Sequence, residues 1–162
     1  MSRDFAKAFG IGLAVIAVAV GGILYMQRGA HTELQGSILK VRTAPLDERN
    51  SVVALDFRVT NTGSYPFMVR TVSVIMEDKD GAQYQGAVSS EVDAQRLFAG
   101  VPLLGPKYNT TLLMRERIAP HATADRMVAA TFNAPESRLQ GRKRFILRIE
   151  EMDGPVFDYP EK

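Results

Sequence analysis

Two histidines, His31 and His121, and no cysteine are present in this chain of 162 residues. Zinc needs several converging nitrogen or sulfur donors, and neither histidine has a second one at i+3 or i+4. His121 precedes Thr123 and Asp125, but neighbouring residues of one turn do not converge as a hydrolase triad does. Asp78-x-Asp80-Gly81 has the middle of a calcium-loop pattern. Its first and twelfth ligand positions would fall on Met76 and Ala87, which cannot serve, so the segment reads as a hairpin turn. Glu150, Glu151 and Asp153 bunch together but read as a solvated strand end. Gly10-Ile11-Gly12 follows no strand and is no nucleotide loop. Arg142-Lys143-Arg144 lacks interleaved aromatics and reads as a loop, so nucleic acid is not expected as a partner. No catalytic residue, metal ligand or cofactor is expected, and the chain reads as a non-enzyme. A tethered enzyme stays as an alternative, since acid pairs can assemble from distant strands.

The elements that would position any site begin with an apolar run. From Ala8 to Gln27 no residue is charged, and Ala8–Met26 as a helix would span roughly 28 Å, near the thickness of a bilayer's hydrocarbon. Phe9 and Tyr25 stand at its ends, where interfacial aromatics belong. Ala17-Val18-Ala19 fits a signal-peptidase pattern, but cleavage there would leave the apolar Val20–Met26 as a new N-terminus. A single uncleaved transmembrane helix over 8–27 is the favoured reading. Arg3 and Lys7 precede it and only Arg28 follows closely, which places residues 1–7 in the cytoplasm and the remainder in the periplasm or outside the cell. Gly10, Ala14, Ala17 and Gly21 share one helix face and are candidate helix-packing residues.

Residues 28–36 read as a tether. From 37 to 160 the pattern is that of strands. Val53, Leu55, Phe57 and Val59 alternate with Asp56, Arg58 and Thr60, giving one apolar and one wet face. Strands are also read at Ser37–Arg42, Met68–Glu77, Gln83–Val88, Thr110–Arg117, Arg126–Asn133, Phe145–Glu150 and Val156–Tyr159. The core should include Leu55, Phe57, Val59, Val74, Leu147 and Ile149. With 46% hydrophobic and 23% charged residues the composition is that of a folded domain, and no helices alternate with the strands. The fold class is therefore all-β, an immunoglobulin-like β-sandwich of about seven or eight strands. One short helix interrupts it, opened by a capping box at Ser90-Glu91-Val92-Asp93.

The run Val53–Gly63, then Pro66, then apolar alternation to Asp80-Gly81, with Ile118-Ala119-Pro120 before a strand ending at Phe132, resembles bacterial envelope domains of the telokin-like immunoglobulin fold. It is also similar to late-embryogenesis-type sandwiches. The resemblance implies a fold and an envelope setting, and no catalytic residues.

One segment exceeds what a sandwich needs. Between Ser89 and Asn109 a capped helix is followed by a proline-broken apolar stretch. Leu97, Phe98, Leu103, Leu104 and Tyr108 are candidate partner-binding residues there; the plainer reading is that they plug an open end of the sandwich. The expected function is a membrane-tethered binding or scaffold module of the cell envelope, with the lipid bilayer and an envelope protein as partners. The alternative is a small single-pass accessory subunit of a larger membrane complex.

Overall fold

A computed structural model describes residues 3–27 and 33–162; on the first helix, side chains are described at 9–23 and 25. His31 and the tether up to residue 32 lie outside the described residues. The chain divides into two compact units, Met1–His31 and Thr32–Lys162.

The first unit is the helix α1 (Arg3–Gln27). It begins five residues before the apolar run, taking in positions assigned to the tail. Alanine, leucine and isoleucine without proline favour it, against four glycines that each cost about 1 kcal/mol relative to alanine. Its described side chains are exposed. Among the described residues no helix is long and apolar enough to cross a membrane.

The second unit runs, in chain order, β1 (Leu34–Pro45), β2 (Ser51–Asn61), β3 (Phe67–Glu77), β4 (Gln83–Gln85), β5 (Ala87–Val88), α2 (Glu91–Gly100), a 3-10 turn (Pro102–Leu104), β6 (Arg117–Ile118), β7 (Thr123–Phe132), α3 (Glu136–Gln140), β8 (Arg144–Glu151) and β9 (Val156–Pro160). One sheet has the order β1-β2-β7-β5. The other has β4-β3-β8-β9, with β6 also paired to β3. The strand pairs are antiparallel. This is a two-sheet β-sandwich with short inserted helices.

Period-two alternation decides what each strand buries. Val53, Leu55, Phe57 and Val59 from β2 meet Val74, Phe145, Leu147 and Ile149 of the second sheet in the main core. All six core residues expected from the sequence lie there. The Asp-Gly hairpin forms as read: Gly81 takes a positive φ of 83° and its amide donates to the Asp78 carbonyl at 2.9 Å. Ser90 caps α2 by accepting from the Asp93 amide at 3.2 Å, while its hydroxyl donates to the Asp93 carboxylate.

The elements differ from the sequence reading in several places. β1 starts at Leu34, so the last residues assigned to the tether belong to the sandwich. Thr110–Arg117 is not one strand: Thr111 bridges to Met127 of the first sheet, whereas Arg117 pairs with Met68 of the second. A segment that crosses between sheets must turn, and it does so at Arg115, with φ 64°. Gln83–Val88, read as one strand, is also split, with β4 paired to β3 in one sheet and β5 to β7 in the other, and this with the short β6 brings the strand number to nine instead of seven or eight.

The sheets are joined along one side where β1 meets β9. The Tyr159 hydroxyl donates to the Leu34 carbonyl at 2.5 Å. Gly36 makes room for the ring, since a Cβ there would sit 2.9 Å from it. Burial of that phenol raises its pKa well above the usual tyrosine value.

Candidate functional site

The outer face of the β1-β2-β7-β5 sheet was expected to be wet, and half of it is not. Ala44, Val52, Ala54, Met127 and Ala129 form a second apolar cluster there, separate from the main core. Ala94 of α2 and Leu104 of the 3-10 turn pack into it, flanked by half-buried Leu97, Phe98 and Val101. The three alanines from the sheet have methyl side chains, which let the helix settle close to the strands. The 89–109 segment therefore roofs a sheet face and does not plug an end of the sandwich.

Polar contacts hold this roof down. Arg42 projects from β1 and Asp56 from β2, and Arg42 Nη2 meets Asp56 Oδ2 at 2.6 Å. Their side chains are only 9% and 6% exposed. Nη1 of the same guanidinium donates to the carbonyls of Leu104 at 2.6 Å and Pro106 at 2.8 Å. Asn109 donates to the free oxygen of Asp56 at 2.9 Å. The rings of Phe98 and Tyr108 lie 4.9 and 5.3 Å from the Arg42 guanidinium carbon, within cation–π range. Among the described residues, Arg42 Nε is the buried side-chain nitrogen left without a partner.

A second knot fixes the start of α2. Glu91 accepts from Lys107 Nζ at 2.8 Å, from the Thr111 amide at 2.9 Å and from Gln95 at 3.0 Å. The Lys107 hydrogen bond, followed by that of Thr111, lowers its pKa to about 2.

The five candidate partner-binding residues part company in this arrangement. Leu104 is fully buried, Leu97 and Phe98 are half-buried, and Leu103 and Tyr108 are 75% and 61% exposed. Tyr108 also lies under Lys40, whose Nζ is 5.1 Å from the ring centre. Beside the roof a shallow groove of about 510 Å³ runs between α2 and the β5–β7 edge, lined by Val88, Asp93, Arg96, Leu97, Val101 and Thr131. On α1, Gly10, Ala14, Ala17 and Gly21 are exposed, and a Cβ added at Gly10 or Gly21 would meet no atom within 4 Å.

The remaining reactive residues are dispersed. His121 is exposed in a turn, while Thr123 bonds Thr60 and Asp125 pairs with Arg58. Among the described residues no group of three or more histidine, cysteine or carboxylate side chains could hold a metal ion. The basic run is neutralised locally: Arg142 pairs with Glu161, and Lys143 and Arg144 both pair with Glu77. Sequence reasoning missed Arg42, Asp56, Glu91 and Asn109. The one available signal was an apolar Val52 and a small Ala54 beside Asp56 on a face otherwise read as polar.

No family model matches the chain, and no curated protein matches it. Among solved structures it is similar to a Bordetella pertussis protein named ApaA, at 17% identity and TM-score 0.37, over 81% of this chain and 89% of that one. It is also similar to an uncharacterized β-sandwich protein from Clostridium difficile, at 14% identity and TM-score 0.39, over 80% of this chain and 86% of the other.

Proposed function

We propose that the chain is a membrane-tethered binding or scaffold module of the bacterial cell envelope, working through protein–protein contacts. In this reading residues 8–27 anchor it in the inner membrane with the N-terminus in the cytoplasm. The sandwich, taken as telokin-like, then stands in the periplasm. The observation that carries the binding role is the roof on the first sheet. A segment fastened at Arg42 and Glu91 presents the apolar side chain of Leu103 to solvent at 75% exposure. Anchoring holds such a surface at high local concentration beside the bilayer.

Leu103→Ser in the full-length protein tests the contact. Melting should be nearly unchanged, because the site is exposed. Crosslinked capture of an envelope protein should fall several-fold, since apolar anchors dominate most interfaces. Unaltered capture sinks the role given to Leu103. Leu104→Ser is the contrast, and should lower stability by about 2–4 kcal/mol as buried apolar losses do.

The open glycine positions on α1 favour the second reading, an accessory subunit held through its helix. Native mass measurement after gentle detergent extraction separates the two. A stoichiometric complex that Gly10→Leu with Gly21→Leu dissolves supports the subunit; a lone protomer supports the tether.

A further inference from the structure

Each sheet of the sandwich ends in two edge strands, and three of the four are short. β4, β5 and β9 have three, two and five residues, and β9 closes on Pro160, which has no amide hydrogen. β1 has twelve residues, and among the described residues no strand pairs with it on the side away from β2. Alternation in an antiparallel ladder settles which of its backbone groups face outward. The Thr62 amide donates to the Glu33 carbonyl and the Leu46 amide to the Asn50 carbonyl, each at 2.9 Å. Carried along the register, these bonds turn Leu34, Gly36 and Ile38 outward before the break at Leu39, and Val41 and Thr43 after it. The Leu34 carbonyl is taken by the Tyr159 hydroxyl. Gly36, Ile38 and Val41 have no backbone partner on that side among the described residues.

A groove of about 460 Å³ follows this stretch, lined by residues 38–41 of β1 together with Arg142, Glu161 and Lys162. Ile38 and Val41 pack against the main core, as their partners Phe57 and Leu55 do. Lys40 pairs with Asp56 and reaches over the Tyr108 ring, on the outer face. Leu39, at the break, is 54% exposed. The acids around the groove are already engaged. Glu161 accepts from Arg142 and the Phe145 amide, and Asp56 accepts from Arg42 and Asn109. Asp158 is held by Arg148, and Glu136 accepts from Thr43 and Gln140. Glu33 stands before the strand, roughly 16 Å from Ile38 along an extended chain. Lys40 and Lys162 have no ionic partner among the described residues.

We propose that the β1 edge takes up an extended, acidic segment of a partner protein as an added strand. The incoming backbone bonds to the outward amides and carbonyls of Gly36, Ile38 and Val41. Side chains beside Ile38 and Val41 meet apolar surface, whereas one beside Lys40 meets a cation, so the fitting sequence alternates apolar with acidic residues. A second copy of the chain is the wrong occupant. Two β1 strands paired across this groove bring Lys40 of each towards Lys40 of the other, and the break at Leu39 disturbs both ladders. Lys40 thus repels a copy and attracts an acid. Neither the anchor nor Leu103 enters into this docking.

A blocked peptide of alternating valine and glutamate, and its counterpart with lysine for glutamate, are titrated into the full-length protein. The glutamate peptide should bind and slow amide exchange at Ile38 and Val41. Ser37 and Arg42, whose amides already face β2, should change little. Lys40→Glu should weaken this peptide by about fivefold, as expected when an exposed ion pair becomes a like-charge contact, and should let the lysine peptide bind. Thermal melting should be nearly unaltered by this change at an exposed position. Absence of binding, equal binding of both peptides, or protection that falls outside β1 overturns the proposal. A concentration-dependent dimer of the chain alone that protects Ile38 and Val41 assigns the edge to a second copy and overturns it as well.

Discussion

The two faces of the β1-β2-β7-β5 sheet bury their residues by opposite means. Inward, Leu55, Phe57 and Val59 interlock with the second sheet, and no polar group is needed. Outward, Ala44, Ala54 and Ala129 offer little apolar bulk, and the roof is fastened by Arg42, Asp56, Asn109 and Glu91. Apolar packing is non-directional and insensitive to pH. Hydrogen-bonded ion pairs are directional, and they become costly once one member is removed. The inner face thus sets whether the domain folds, and the outer face sets where one segment lies.

Phe57→Ala should have the largest effect, about 4 kcal/mol in denaturant melts, because a buried aromatic loses transfer energy and leaves a cavity. A loss below about 1 kcal/mol would mean that the two faces do not differ as described. Asp56→Ala should cost about 3 kcal/mol by leaving Arg42 buried without its partner. Its signature should differ from that of Phe57→Ala: amide exchange should quicken from 91 to 109 before the strands open. Uniform quickening across the sheet would place Asp56 in the global core instead.

The smallest expected effect is on acidification. The Glu91 carboxyl has its pKa lowered to about 2 by Lys107 and Thr111, so its contribution is complete above about pH 4.5 and drains away as pH falls towards 2. The side chain is 28% exposed, and solvent screening reduces the contribution to the order of 1 kcal/mol. Glu91→Gln should flatten this part of the stability profile between pH 4.5 and 2. An unchanged acid slope would assign it to other carboxylates.

What could be read from the chain followed the range of the interaction. Alternation in β2, the Asp-Gly hairpin and the Ser90 cap depend on neighbours within a few positions, and each formed where the pattern put it. Arg42 reaches carbonyls 62 and 64 positions away, and no local periodicity announces that. Asp56 looked wet because alternation identifies the second face of a strand without saying what else the chain will lay on it. The same limit hid the partners of Arg142, Lys143 and Arg144, which come from β3 and from Glu161. Thr110–Arg117 failed for another reason: its composition suits a strand, but its two ends serve different sheets.

The bond from Tyr159 to Leu34 spans 125 positions. Ribosomes deliver the chain from its N-terminus, so β1 is made long before the strand that fastens it. β1 is an edge strand that pairs with β2, and until β9 arrives its first residue lacks the Tyr159 hydroxyl that ties it to the other sheet. Closing so long a loop is slow, and the seam belongs among the last contacts to form. A domain built this way has a period of vulnerability set by the time its own synthesis takes, and truncation before Tyr159 would prolong that period indefinitely.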